Sequence, residues 1–259
     1  MATFDPRADL TPALPSRLPQ ALPGLAVALD APSLEPLEPI LDALHGMPVL
    51  IKVGLSLFTA VGPAVVHHLR SAGFEVFLDL KLCDIPHQVA IAVESAARLG
   101  VALLTVHACG GREMLLAAQQ AAQGRVGVLG VTVLTSLTDR DLHETGHRLD
   151  MAAVVAQRLE LVHACGLAGA VLSPHELALA AYLPPTFLRV TPGIRLAAGI
   201  RGGQGTSLAH GTDDQQRTAT AARALRDGAD LLVVGRPILH APDPRQAVLE
   251  LLEQIDLVR

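Results

Sequence analysis

The sequence predicts a single-domain α/β fold, a (β/α)8 TIM barrel. Apolar runs of strand length alternate with amphipathic stretches through eight β-then-α units, the runs are near-continuous rather than alternating, and polar residues collect where the runs end. Near-continuous runs suit parallel strands covered on both faces. Eight such units close into a barrel whose chemistry lies at the strands' C-terminal ends.

The first strand is expected at Gly24–Leu29 (GLAVAL), with a helix near Leu34–Leu44. Pro48–Val53 (PVLIKV) is the second strand and Ser56–Ser71 its helix; Phe74–Leu80 (FEVFLDL) is the third, followed by a helix over Gln88–Leu99. Val101–Val106 precedes a helix at Gly111–Ala122, and Gly127–Leu134 precedes one at Asp150–Cys165. The sixth strand, Ala168–Leu172, leads to a helix at His175–Tyr182. The seventh, Phe187–Val190, leads to one at Asp214–Asp227, and the eighth, Leu231–Val234, is closed by Asp243–Ile255. A doubly wound sheet would place GxGxxG after its first strand; Asp30, Ala31 and Pro32 stand there instead. Residues 1–23 read as a proline-rich, poorly ordered leader and 24–259 as the barrel. The glycine-rich stretch from Ile194 to Thr212 is long for a connection in such a domain and reads as a functional loop.

Composition narrows the function. A net charge of -5 with 2% aromatic residues gives neither a basic stripe nor stacking platforms, which argues against nucleic-acid binding. No uninterrupted apolar run is long enough to span a membrane, and the N-terminus lacks the apolar core of a signal peptide. Three scattered cysteines without a CxxC pair suggest neither a disulfide framework nor a zinc site, so a reducing cytoplasm is expected.

Of the 20 basic residues only Lys52 and Lys81 are lysines. Guanidinium does not release a proton near neutral pH, so a proton-donating lysine has no arginine substitute. Both lysines end strands. In LDLKLCDIP (residues 78–86), Asp79 and Lys81 stand two apart, which points both side chains to one face. With Lys52 on the neighbouring strand and Asp84 in the following loop, they make either an alternating charged network for chemistry or an ion-pair cluster at the barrel mouth. Buried ion pairs contribute little net stability, which favours the first reading. His107 also ends a strand, where packing or hydrogen bonding at the mouth is expected; His67, His68 and His163 read as surface positions on helices.

A phosphate site is expected after the last two strands, the usual place in such barrels. TPGIR (Thr191–Arg195) and GRPI (Gly235–Ile238) supply glycines that let backbone N–H groups approach and an arginine, Arg236, able to grip phosphate with a two-pronged fork.

LDLKLCDIP resembles the signature segment of the orotidine 5'-phosphate decarboxylase family, and VALDAP, IKVG, TPGIR and VVGRPI resemble its other motifs in the same order, from Gly24 to the C-terminus. The resemblance implies that Lys52, Asp79, Lys81 and Asp84 form the catalytic network, with Asp84 supplied by the second subunit of a homodimer. It implies that Asp30 holds the ribose, that Ile85 contributes to substrate binding, and that Ser136 faces the pyrimidine. Pro192, Gly193, Gly235 and Arg236 would bind phosphate, with Gln215, or its neighbour Gln216, closing over it. His87 and Gln88 replace the family's usual Asn-Thr after DIP, and the stretch from Ala197 to His210 is longer than usual.

The implied reaction is decarboxylation of a pyrimidine nucleotide without metal or cofactor. Loss of CO2 from C6 leaves an in-plane carbanion that the ring π system cannot delocalise, so a fixed ammonium must stabilise and then protonate it; Lys81 takes that role. Two alternatives stand beside it. Related sugar-phosphate decarboxylases and hexulose-phosphate synthases share DxKxxD but use magnesium, with an acid where this chain has Lys52. A non-catalytic phosphate-ligand barrel is the other.

Overall fold

Each apolar run becomes one strand of a closed barrel. The computed structural model of the protein describes residues 23–195 and 218–258. The strands are β1 (Leu25–Leu29), β2 (Leu50–Gly54), β3 (Glu75–Leu82), β4 (Leu103–His107), β5 (Gly127–Val131), β6 (Gly169–Val171), β7 (Leu188–Thr191) and β8 (Leu231–Val234). Each pairs in parallel with the next, and β8 closes on β1 with Leu25 opposite Leu232 and Val27 opposite Val234. The expected leader lies, apart from Pro23, outside the described residues.

Side chains alternate along each strand and split the core in two. On β1, Leu25, Val27 and Leu29 pack outward against the helices, whereas Ala26 and Ala28 join Leu50, Phe77 and Leu103 inside the barrel. The small alanines of β1 leave room for Phe77, which is 1% exposed. Gly169 serves close approach: a Cβ there would overlap the backbone of Leu188 on β7.

The outer layer is α1 (Glu38–Leu44), α2 (Leu55–Val61), α3 (Ala64–Ser71), α4 (Pro86–Leu99), α5 (Arg112–Ala122), α6 (Asp139–Glu144), α7 (Met151–Ala164), α8 (Ala221–Arg226), α9 (Arg236–Leu239) and α10 (Pro244–Asp256). The helix expected over Ser56–Ser71 is two helices, because Gly62 at φ +71° ends α2 and Pro63 begins the next turn. Helix α6 was not anticipated, although its start is written in the sequence as a capping box. Thr138 N donates to Asp141 Oδ2 at 2.7 Å, and Asp141 N donates back to Thr138 Oγ1 at 3.4 Å.

The segment expected as a helix at His175–Tyr182 is a tighter 3-10 helix, Pro174–Ala180. Buried Arg189 of β7 ties its end down, donating to the carbonyls of Ala180 and Leu183 and pairing with Asp230 at 3.3 Å. His163 is half-buried rather than a surface residue, its ring edge-on to Phe187. Ile194–Arg195 and Ala219–Thr220 form a short parallel pair outside the barrel. No described helix is long and apolar enough to cross a membrane.

Candidate active site

The inward phase of the strands sets the site. Leu50, Phe77 and Leu103 face the barrel interior; two residues further along the same strands come Lys52, Asp79 and Thr105. A polar layer therefore sits directly above an apolar floor. Lys52 is 8% exposed and Thr105 fully buried.

Asp79 is the hub. Its Oδ2 lies 2.8 Å from Lys81 Nζ and 3.5 Å from Lys52 Nζ, and its Oδ1 accepts from Thr105 Oγ1 at 2.8 Å. Burial alone would push this carboxyl up, but the two ammoniums and the hydrogen bonds from Lys81 and Thr105 outweigh it and hold its pKa below the ordinary value. Asp79 is thus a fixed anion at neutral pH.

Asp79 and Lys81 do line one cavity, but a regular two-residue period is not what brings them into contact. The β3/β4 register shifts between Leu78 and Leu82, and Lys81 has φ +50°, the left-handed region. Non-glycine residues rarely adopt it, at a cost of about 1–3 kcal/mol, and such residues cluster at functional sites. The displaced Lys81 N–H finds Thr105 Oγ1 at 2.9 Å.

The cavity, of about 230 Å³, runs from this cluster to the loops after β7 and β8. Asp30, Lys52, Asp79 and Lys81 line one part, and Pro192, Gly193, Gly235 and Arg236 another. Asp30 stands over two glycines: a Cβ on Gly54 would lie 3.6 Å from its Oδ1, and one on Gly235 3.7 Å from its Oδ2. The same Gly54 Cβ would come within 3.2 Å of Lys52 Nζ, so a side chain there would crowd the lysine. Glycine at both positions keeps the mouth open beside a carboxylate and an ammonium.

Other expected residues fall elsewhere. Ser136 is exposed and does not line the cavity; Leu134 and Thr135 do. The chain leaves β5 in a turn closed by Leu137 N to Leu134 O at 3.0 Å, and this turn offers Thr135 inward instead. Asp84 and Ile85 lie outside their own chain's cavity, both exposed, with Ile85 N donating to Asp84 Oδ1 at 2.6 Å. Gln215 and Gln216 lie outside the described residues. His107 ends β4 beside the cluster; its burial, then the charges of Lys81 and Arg158, lower its pKa and keep it neutral at pH 7. Thr105 was not anticipated. Its signal was a polar residue inside LLTVH, on the strand next to LDLK and in phase with the inward set.

Fold and site together define a barrel enzyme with an ionic cluster and a glycine-lined arginine at the strands' C-terminal ends. The family model described as "Orotidine 5'-phosphate decarboxylase / HUMPS family" matches residues 23–251, and the chain belongs to this family. It is 45% identical to the orotidine 5'-phosphate decarboxylase of Opitutus terrae, over 89% of this chain and 97% of that protein. It is 46% identical to that of an Anaeromyxobacter species, over 86% of this chain and 94% of the relative. The crystal structure of orotidine 5'-phosphate decarboxylase from Lactobacillus acidophilus superposes with a TM-score of 0.77 at 33% identity, covering 90% of this chain and 98% of that one.

The lowered pKa of Asp79 makes stability depend on pH. A carboxyl that ionises more readily folded than unfolded stabilises the fold above its unfolded value near 3.8, and that contribution disappears as pH falls through the lower folded value. The gap in thermal midpoint between the wild type and Asp79→Asn is expected to shrink as pH drops below 3.8. A gap of constant size from neutral pH into that acid range would contradict the assignment.

Proposed function

We propose that this chain decarboxylates orotidine 5'-monophosphate to uridine 5'-monophosphate, a carboxy-lyase step in pyrimidine nucleotide synthesis. The observation that carries the reading is the Lys52–Asp79–Lys81 cluster, at 3.5 and 2.8 Å, in the cavity that Gly235 and Arg236 also line. Family membership and the relatives' names support it.

In this reading Arg236 and the backbone at Gly193 and Gly235 take the phosphate, Asp30 holds the ribose, and the pyrimidine carboxylate lies towards Asp79. The C6–CO2 bond breaks, its electron pair stays on C6, and Lys81 stabilises that pair and then delivers a proton to it. Two charges about 4 Å apart interact by roughly 4 kcal/mol at an effective dielectric near 20. Repulsion by Asp79 therefore helps expel CO2, while Lys52 and Lys81 temper it. Phosphate binding far from C6 supplies energy for organising the site.

No step calls for a metal or an organic cofactor. Lys52 places an ammonium 3.5 Å from Asp79, where a magnesium-dependent relative would need an acid. Among the described residues, no three His, Cys, Asp or Glu side chains are grouped to hold a metal. A cytoplasmic setting goes with this reading and with three free cysteines.

The site is proposed to be shared in a homodimer. Asp84 and Ile85 project from the loop before α4; Ile85 is 63% exposed, and Ile91 on α4 itself is 44% exposed. A two-fold pairing of this face would let each chain give one Asp84 and receive another.

Two predictions follow from these proposals. Purified protein is expected to consume orotidine 5'-monophosphate, followed by absorbance, with undiminished turnover after exhaustive chelation; loss of activity restored by magnesium would favour the metal-dependent relatives. Co-refolded Lys81→Ala and Asp84→Asn chains are expected to regain about a quarter of wild-type activity, since about half the dimers are mixed and each mixed dimer has one intact site. No recovery after exchange is confirmed by mass would assign Asp84 to its own subunit.

A further inference from the structure

We infer that Thr105, which does not itself line the cavity but bonds to two residues that do, is a positioning residue that sets the geometry of both Asp79 and Lys81 through one hydroxyl. The inference rests on the decarboxylase reading above for what the geometry is used for, but the geometry stands by itself.

A hydroxyl has one proton and two lone pairs. The Thr105 proton is committed to Asp79 Oδ1 at 2.8 Å, and a lone pair accepts the Lys81 backbone N–H at 2.9 Å. The direction of both bonds is therefore fixed. An N–H can only donate, so the hydroxyl accepts from Lys81 and gives its own proton to Asp79 Oδ1, which carries no proton of its own.

Each end of this relay matters. Asp79 Oδ2 already faces Lys81 Nζ and Lys52 Nζ. With Oδ1 tied to Thr105, the carboxylate has an anchor on each oxygen and cannot rotate about its Cβ–Cγ bond without breaking one. At the other end, Lys81 sits at φ +50° where the β3/β4 register slips. The slip removes the regular ladder partner for this N–H, and an unpaired buried N–H is costly. Thr105 supplies the replacement partner and so stabilises the left-handed backbone from which Lys81 reaches Asp79. It can do so because it is 0% exposed and held between the strands of the barrel. The β-branched side chain also has restricted χ1 freedom, which keeps the hydroxyl in place.

The test compares Thr105→Val, which keeps shape and loses the hydroxyl, with Thr105→Ser, which keeps the hydroxyl, and Thr105→Cys, whose thiol is a weak donor and acceptor. For a displacement of the ammonium on the order of 1 Å, turnover is expected to fall by about 100-fold in the valine and cysteine variants. KM and the affinity for uridine 5'-monophosphate should stay within about threefold, because the phosphate end of the cavity is untouched. Serine should retain most of the turnover. Hydrogen exchange of the Lys81 amide gives a readout independent of activity: protected in wild type and serine, faster in valine and cysteine. If the valine variant does not fold, the serine and cysteine pair decides alone. Cysteine turning over and exchanging like serine, or serine failing as badly as valine, would overturn the inference. A wild type inactive on orotidine 5'-monophosphate would instead overturn the functional reading, and the exchange data would still decide the role of Thr105.

Discussion

Asp79 stands between two ammoniums in a nearly dry layer of the barrel, and the site depends on that arrangement being held. The side chains of Asp79 and Lys52 are 13% and 10% exposed, so solvent screens them little. Remove the carboxylate and two like charges face one another above an apolar floor of Leu50, Phe77 and Leu103. Remove either lysine and a buried anion loses one of its two neighbouring ammoniums, the costly way to disturb such a cluster. Two lysines in a chain that otherwise uses arginine suit this geometry: each is a compact charge at the end of a flexible stem, and in the proposed reaction the one on β3 also parts with a proton.

The barrel supplies what such a cluster needs. Alternating side chains turn Lys52, Asp79 and Thr105 into the barrel from three adjacent strands, with Lys52 opposite Phe77 and Asp79 two residues further along. The register slip near the end of β3 then brings Lys81 onto the same carboxylate. Strain at Lys81 is tolerated because the strands around it are fixed by the outer core, so closure of the barrel over-determines the local backbone. The loops after β7 and β8 complete the cavity with Gly193, Gly235 and Arg236.

Much of this was legible in the sequence, because the signals that carry it are local. Eight apolar runs gave eight strands, and LDLK with IKVG located the charged residues. What escaped were features set by tertiary register. Nothing in LDLKLCDIP announces a left-handed lysine, and a two-residue period accounts for the right neighbours by the wrong backbone. Thr105 was hidden because its importance comes from the strand beside it, through a pairing that slips. Ser136 was placed in the site by resemblance, whereas the turn after β5 turns Thr135 inward. Asp84 is exposed, and its proposed site belongs to another copy.

In the proposed reaction a fixed, proton-donating ammonium at Lys81 carries the chemistry while the phosphate loops carry binding. Single-turnover kinetics of Lys81→Ala and Lys81→Arg, beside calorimetric affinity for uridine 5'-monophosphate, test it most directly. Decarboxylation is expected to be nearly abolished in both variants while the product nucleotide still binds measurably to each. Near-normal decarboxylation by the arginine variant would contradict it, because guanidinium can supply charge but not the proton.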